Sequence, residues 1–320
     1  MKRIAVIGTG GQEAAANLIG NTLSQTTGWN VRVLSQTGRG RTSLEQRLSR
    51  LDGQGCQCAV AALGPESVKE GLAAPFQLGI LTDWREVSPP AAVNACAQLV
   101  VNLDDPCGRL LARGRRGTLT YSEGKDQADL TAKYLRCYPT CTEFDALTWR
   151  EIRRVRMPVM GGYDVYQGLA ALSCGLSLGL SLEALVKSVE EAKGLPGHLE
   201  ELTGPQDPFR IVVDGAVSAA QVESLLLTLC PLKGEGGVLR LRLGRPLAGE
   251  RGLTLDVATE LADQVEVRTP PAEEQILGLL EAAGPGDLVV VAGVHSPGST
   301  GDERKIIRQW LEQKRRNGQR

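Results

Sequence analysis

Six residues near the start carry the first chemistry of this chain: Gly8-Thr9-Gly10-Gly11-Gln12-Glu13. They follow an apolar run, Ile4 to Ile7, and precede a helical pattern with Ala15, Leu18, Ile19, Thr22 and Leu23 on one face. A glycine-rich turn from strand to helix offers backbone N–H groups and a helix N-terminus to an anion. A phosphate loop of the form G-x-x-x-x-G-K-[ST] adds a lysine for the phosphates and a hydroxyl for magnesium. Gln12 stands at the lysine position and Glu13 at the hydroxyl position. Glutamine brings no charge, and a carboxylate near a helix N-terminus is stabilising in its own right while it repels phosphate. The stretch therefore reads as a turn capped by Glu13, with the scaffold of a nucleotide site and without its charges.

Other residues with chemical potential are fewer. Asp104-Asp105-Pro106 follows an apolar run, and both readings stay open: carboxylates that position a metal, or turn chemistry. Arg39 and Arg41 in an early loop read as a solvated turn. Eight cysteines include two short pairs, Cys56-x-Cys58 and Cys137-x3-Cys141, but neither has zinc-ribbon spacing, and there are only two histidines, His198 and His295. Free, reduced cysteines acting as small apolar residues are expected.

The elements that must position these residues follow from length and pattern. At 320 residues, with 42% hydrophobic and 23% charged, the chain supports about two globular domains. A formal net charge of -1 argues against nucleic acid or a membrane surface as partner. The opening residues do not read as a signal peptide, and no apolar run has spanning length, so a cytoplasmic protein is expected. Apolar runs at 31–34, 58–63, 77–81 and 99–102 alternate with helical stretches, which predicts a parallel sheet covered on both faces. Segments 118–121, 130–137, 140–146 and 150–156 alternate instead, which predicts a small antiparallel annex. Helices are predicted over 165–178 and 182–193, the second from a Ser181 cap. Gly and Pro clusters at 194–197 and 204–208 suggest a boundary, giving domains 1–204 and 205–320, the latter a second, Rossmann-like α/β alternation.

Taken in order, several stretches resemble the Mur ligases. Ile4 to Leu23 sits at that family's phosphate loop and first helix. Val100-Val-Asn-Leu-Asp-Asp-Pro-Cys-Gly-Arg-Leu111 resembles its N-x-D-D-P stretch, and Gly161-Gly-Tyr-Asp-Val-Tyr-Gln-Gly-Leu-Ala-Ala171 its G-x-[FY]-N-x-x-N-x-x-A-A segment. Gly194-Leu-Pro-Gly-His-Leu-Glu200 resembles G-x-P-G-R-x-E, Val212-Val-Asp-Gly-Ala-Val217 resembles V-x-D-Y-A-H, and Gly286 to Gly293 resembles the last strand. The resemblance implies a P-loop-like central domain and a C-terminal α/β domain. It also implies an ATP-dependent ligase that activates a carboxylate as an acyl phosphate for attack by an amine.

The departures fall on that chemistry. Beyond Gln12 and Glu13, the adenine-side asparagines read as Asp164 and Gln167. The arginine of P-G-R reads as His198, which cannot fork to phosphate. Asp214 keeps the ribose-facing carboxylate, but Gly215 and Val217 replace the Tyr and His after it. The family's metal-binding lysine has no counterpart, since no lysine lies between Lys69 and Lys125, and Glu66 reads as a helix N-terminal residue. The family's acceptor signature is not recognisable in Arg268-Thr-Pro-Pro-Ala272. Met1 opens almost on the first strand, with no UDP-binding domain expected before it. A vestigial nucleotide site is therefore expected at Gly8, Thr9, Gly10, Gly11, Gln12, Asp164, Gln167, His198 and Asp214, with no catalytic or metal residue and no cofactor. The expected role is binding or regulation, through a protein partner or a small ligand in the interdomain cleft. The alternatives are an active amide ligase using ATP and Mg with a reorganised site, and a nucleotide-binding module that does not hydrolyse.

Overall fold

The computed structural model of the chain describes residues 1–9, 11–34, 43–65, 68, 75–84, 88–138, 141–158, 164–192, 198–244, 249–267, 272–294 and 303–318. The chain divides into two compact units, Met1–Lys193 and Gly194–Arg320.

In the first unit the elements run β1 (Lys2–Ile7), α1 (Gln12–Thr27), β2 (Val31–Leu34), α2 (Leu44–Gly53), β3 (Cys58–Leu63), β4 (Phe76–Leu81), β5 (Cys96–Asn102), α3 (Pro106–Gly114), β6 (Leu119–Ser122), β7 (Leu130–Cys137), β8 (Thr142–Thr148), β9 (Ile152–Met157), α4 (Asp164–Ser177) and α5 (Leu182–Glu190). The strands form one sheet in the order β2-β3-β1-β4-β5-β6-β7-β8-β9. Each neighbouring pair from β2 to β7 is parallel, and β7, β8 and β9 form an antiparallel meander. β3 is buried at every residue, because Cys-Ala-Val-Ala-Ala-Leu is an apolar run with helices on both faces. Alternate residues of β1 feed opposite cores. Ile4 and Val6 pack with α1, α4 and α5, and Ala5 and Ile7 pack on the other face with Leu48 of α2 and Cys107 of α3.

The expected annex differs from the observed one in two respects. The strand at 119–122 is parallel to β5, so the antiparallel part starts one element later. The meander also extends the main sheet instead of standing apart. Tyr121 and Ser122 still pair in register with Leu130 and Thr131, and Phe144, Ala146, Val155 and Met157 belong to the same core as β1. Alternation along a strand reports one wet face; it does not report which sheet the strand joins.

Helix ends follow local chemistry. Ser43 and Gln46 make a reciprocal capping box at α2, and Ser181 accepts from the Ala184 N–H at 3.3 Å to cap α5 as expected. α1 has no such cap: its N-cap is Gly11, at φ 71°, with no side-chain hydrogen bond. Glu13 thus supplies charge in the first turn, not the cap assigned to it from sequence, because the backbone enters the helix through a left-handed glycine.

The second unit holds β10 (Glu200–Glu201), β11 (Arg210–Asp214), α6 (Ala219–Leu229), β12 (Leu239–Leu243), α7 (Arg251–Leu261), β13 (Gln264–Val267), α8 (Ala272–Glu281), β14 (Leu288–Ala292) and α9 (Glu303–Gly318). The sheet order is β10-β11-β14-β12-β13, parallel except for β10. Residues 200–201, on the near side of the boundary expected at 204, pair antiparallel with Val212 and Val213. Ile211, Val213, Val289 and Val291 pack against Ile276 and Leu280 of α8 and Ile307 and Leu311 of α9. Among the described residues no helix is long and apolar enough to cross a membrane.

Phe144 tests the continuity of the first sheet. Its ring is fully buried between the meander and α4, where a Cβ on Gly168 would lie 3.6 Å from it. Phe144→Ala should cost about 3–5 kcal/mol in urea unfolding with a single transition. A separately folded annex would instead give a second, early transition.

Candidate functional site

The polar groups gather at the carboxyl ends of the parallel strands, where open α/β sheets bind ligands. The chain leaves β1 for β2 and returns through β3, then crosses β1 to reach β4. The ends of β1 and β4 are therefore neighbours at a reversal of strand order.

The glycine loop closes there on a carboxylate. The Thr9 hydroxyl donates to Asp83 Oδ2 at 2.6 Å, and the Thr9 N–H lies 3.3 Å from Asp83 Oδ1 and 3.1 Å from the Asp83 carbonyl. Thr82 braces the carboxylate: its hydroxyl lies 3.1 Å from Asp83 Oδ1 and 3.2 Å from the Ile7 carbonyl. The approach is so close that a Cβ on Gly8 would sit 2.2 Å from Thr82 Oγ1 and 2.7 Å from Asp83 Oδ1. Gly8 is required by that contact. The Gln12 side chain lies against the end of β3, its Nε2 3.2 Å from where a Cβ on Gly64 would be. Gln12 Oε1 is buried with no hydrogen-bond partner among the described residues. Gly10 lies outside those residues.

A second group sits at the ends of β5 and β6. Asp104 Oδ1 takes the Lys125 ammonium at 2.7 Å, Oδ2 takes the Glu123 N–H at 2.8 Å, and Ser122 Oγ is 2.9 Å from both oxygens. The Tyr166 hydroxyl, from α4, lies near enough for the Asp104 and Glu123 carboxylates to act on it. Burial pushes the Asp104 carboxyl up, but the bonds from Lys125, Glu123 and Ser122 with the Lys125 charge outweigh it and hold the group below its ordinary value. Burial, then the Glu123 and Asp104 charges, push the Tyr166 hydroxyl far above its ordinary value, so it stays a donor. Arg109 holds the strand end itself, donating to the Leu103 and Asp104 carbonyls at 2.9 Å each.

The two readings left open for Asp104-Asp105 resolve differently. Asp105 is turn chemistry: it caps α3 by accepting the Gly108 N–H at 2.9 Å and also takes the Trp84 N–H at 3.0 Å. Asp104 is the end of an ion pair. All eight cysteines are free, and among the described residues no three of His, Cys, Asp and Glu gather as a metal-holding group.

Gln167 is buried on α4 beside Tyr166, and Asp164 is the first residue of that helix. In the second unit Asp214, at the end of β11, is 5% exposed and accepts from the Leu199 N–H at 2.9 Å and the Ala216 N–H at 2.7 Å. His198 Nδ1 is 3.1 Å from Asp214 Oδ2, and Leu199 is held at φ 43° between them. The predicted site residues thus form two groups, one in each unit. Arg39, Arg41, Glu66, Gly161–Tyr163, 194–197, 268–271 and His295 lie outside the described residues.

Sequence reading missed Asp83, Glu123, Lys125 and Tyr166. The first had a signal: Thr82-Asp83 directly follows a buried parallel strand, the position from which α/β sites are built. Ser122-x-x-Lys125 had a weaker one, a turn in which the serine hydroxyl accepts the Lys125 N–H at 2.7 Å.

The fold and the glycine loop at its first strand make an α/β chain whose similarities in sequence and fold are to the Mur ligases. No family model matches it. In sequence it is similar to UDP-N-acetylmuramoyl-L-alanyl-D-glutamate--2,6-diaminopimelate ligases. It is 28% identical to that of Synechococcus elongatus across 91% of this chain and 66% of the relative. It is 30% identical to that of Halalkalibacterium halodurans across 59% of this chain and 40% of the relative. The chain thus spans less than two thirds of these relatives' lengths. In fold it is similar to the MurF ligase of Thermotoga maritima in complex with ADP, with a TM-score of 0.71 at 15% identity, over 97% of this chain and 78% of that one.

The Asp104 bonds set a pH dependence. A carboxylate held low in the folded state adds stability above its unfolded value, about 3.9, and loses it as pH falls through the folded value. Asp104→Asn should therefore be less stable than the parent at pH 7, and the difference should shrink steadily below about pH 4. Urea unfolding across pH 2.5–7 (a range of about 4.5 units) checks this; a gap independent of pH would remove the ionic account.

Proposed function

We propose that this chain is a Mur-ligase-fold protein that does not ligate, and that acts by binding a protein partner or small ligand in peptidoglycan precursor synthesis. The observation that carries the reading is the Thr9–Asp83 contact: the hydroxyl and N–H that a phosphate would need already serve a carboxylate. A charge-assisted bond of this kind is roughly twice as strong as a neutral one. An incoming triphosphate would have to displace it while facing the Asp83 charge, with Gln12 supplying none in return.

ATP and magnesium do not fit the residues present. Acyl-phosphate chemistry rests on phosphate positioning and metal charge, not on a protein nucleophile. Asp104, the carboxylate best placed for a metal, already accepts from Lys125, Ser122 and Glu123. The link to peptidoglycan rests on the names of the relatives.

Calorimetry of the chain with ATP and magnesium should give no binding heat, and tight magnesium-dependent binding would refute the reading. Thermal-shift screening with adenine and uridine nucleotides separates the two modes of action, because only a small-ligand binder is stabilised by mass action. The double variant Gln12→Lys, Glu13→Thr should remain without ATP turnover, since Asp83 and Lys125 still hold their partners; phosphate release from ATP by that variant would overturn the reading.

A further inference from the structure

The inner face of the β7-β8-β9 meander is core, with Phe144, Val155 and Met157. Its outer face is set by register. Lys133, Asp145 and Arg154 stand side by side across the three strands, and so do Arg136, Glu143 and Arg156. The two carboxylates of β8 thus lie between two cations on β7 and two on β9. Arg154 pairs with Asp145, and Arg154 and Arg156 approach Glu143 at 3.8 and 3.6 Å. Among the described residues Arg136 and Arg150 make no ion pair. Residues 130–157 hold six Lys and Arg against three Asp and Glu, in a chain of formal net charge -1. Salt screens exposed charges beyond about 10 Å, so acids elsewhere do not cancel this local excess.

The same segment gathers apolar surface. Seven large apolar side chains are exposed among the described residues, and four of them lie here: Tyr134, Tyr138, Trp149 and Ile152. Trp149, 81% exposed, sits in the turn between β8 and β9, and Ile152 follows it at 63%. The turn is fixed by hydrogen bonds. The Thr148 N–H donates to the Glu151 carbonyl at 2.9 Å, and Thr148 Oγ1 accepts the Arg150 and Glu151 N–H groups at 3.3 and 3.1 Å. The Arg150 guanidinium lies 4.3 Å from the centre of the Trp149 ring. An indole and a guanidinium are therefore held out together at the tip of the last hairpin of the sheet.

We infer that this tip and the outer face behind it dock on an anionic lipid surface. Tryptophan and tyrosine, each with an apolar body and a polar end, settle at the headgroup level of a bilayer. Cations beside them are drawn to lipid phosphates, and each tightens binding about fivefold near an anionic surface. A bilayer takes up a protruding ring without a matching pocket, which a protein partner has to supply. Such docking needs neither a spanning helix nor a basic chain, only a local excess of cations beside apolar area.

The full chain is sedimented with vesicles of phosphatidylcholine alone and with vesicles containing about one third phosphatidylglycerol. No nucleotide is present, so the outcome is separate from whether ATP binds. The parent should bind the anionic vesicles and leave the neutral ones, and about 0.5 M salt should release it. Trp149→Ala and the double variant Arg136→Gln, Arg150→Gln should keep the parent's urea midpoint, because these side chains are exposed. The double variant should bind about 25-fold more weakly. Trp149→Ala should bind more weakly too, and should lose the blue shift of tryptophan emission that anionic vesicles produce in the parent. A parent that ignores anionic vesicles, binds neutral ones equally, or is matched by either variant overturns the proposal.

Discussion

One hydrogen bond, from the Thr9 hydroxyl to Asp83, connects most of what is particular about this chain. It exists because β1 and β4 are parallel neighbours that end together, with Ile7 paired to Leu81. The residues that follow each strand must then share the same small space. A Cβ at Gly8 would meet Thr82 Oγ1 at 2.2 Å and Asp83 Oδ1 at 2.7 Å, so a side chain there requires both to shift. Gln12 lies along the end of β3. A phosphate loop works by keeping its donors free. Here the Thr9 hydroxyl and N–H meet Asp83.

The same pattern recurs at other strand ends. At the end of β5, Asp104 is met by an ammonium, a hydroxyl and an N–H. At the end of β11, Asp214 is met by two N–H groups and His198. In the second sheet Arg240 answers Asp287 at 2.9 Å. Buried carboxylates are costly unless paired, and each of these is paired from within the chain.

The fold was largely legible. β1, β2, β3 and β5 stand where apolar runs of strand length stand, and α1 follows its glycines, because burial on both faces leaves an unbroken apolar signature. The meander was legible as strands, but its membership in the main sheet was not, since Phe144 and Val155 report burial without naming what they are buried against. The cap of α1 was misread for a related reason: Glu13 is chemically suited to a helix start, but the φ of Gly11 decides the entry.

The sequence by itself determined the strands, the glycine turn and the absence of a lysine at position 12, because periodicity and residue type are local properties. It determined, too, that Asp104 and Asp105 follow a strand. Only the tertiary structure decided that these adjacent carboxylates do different work, one capping α3 and the other holding Lys125, 21 positions later. It alone joined Thr9 to Asp83 across 74 positions. The physical reason is that a parallel sheet brings together strand ends distant in the chain, so which donor meets which carboxylate is set by strand order and register, not by spacing in sequence.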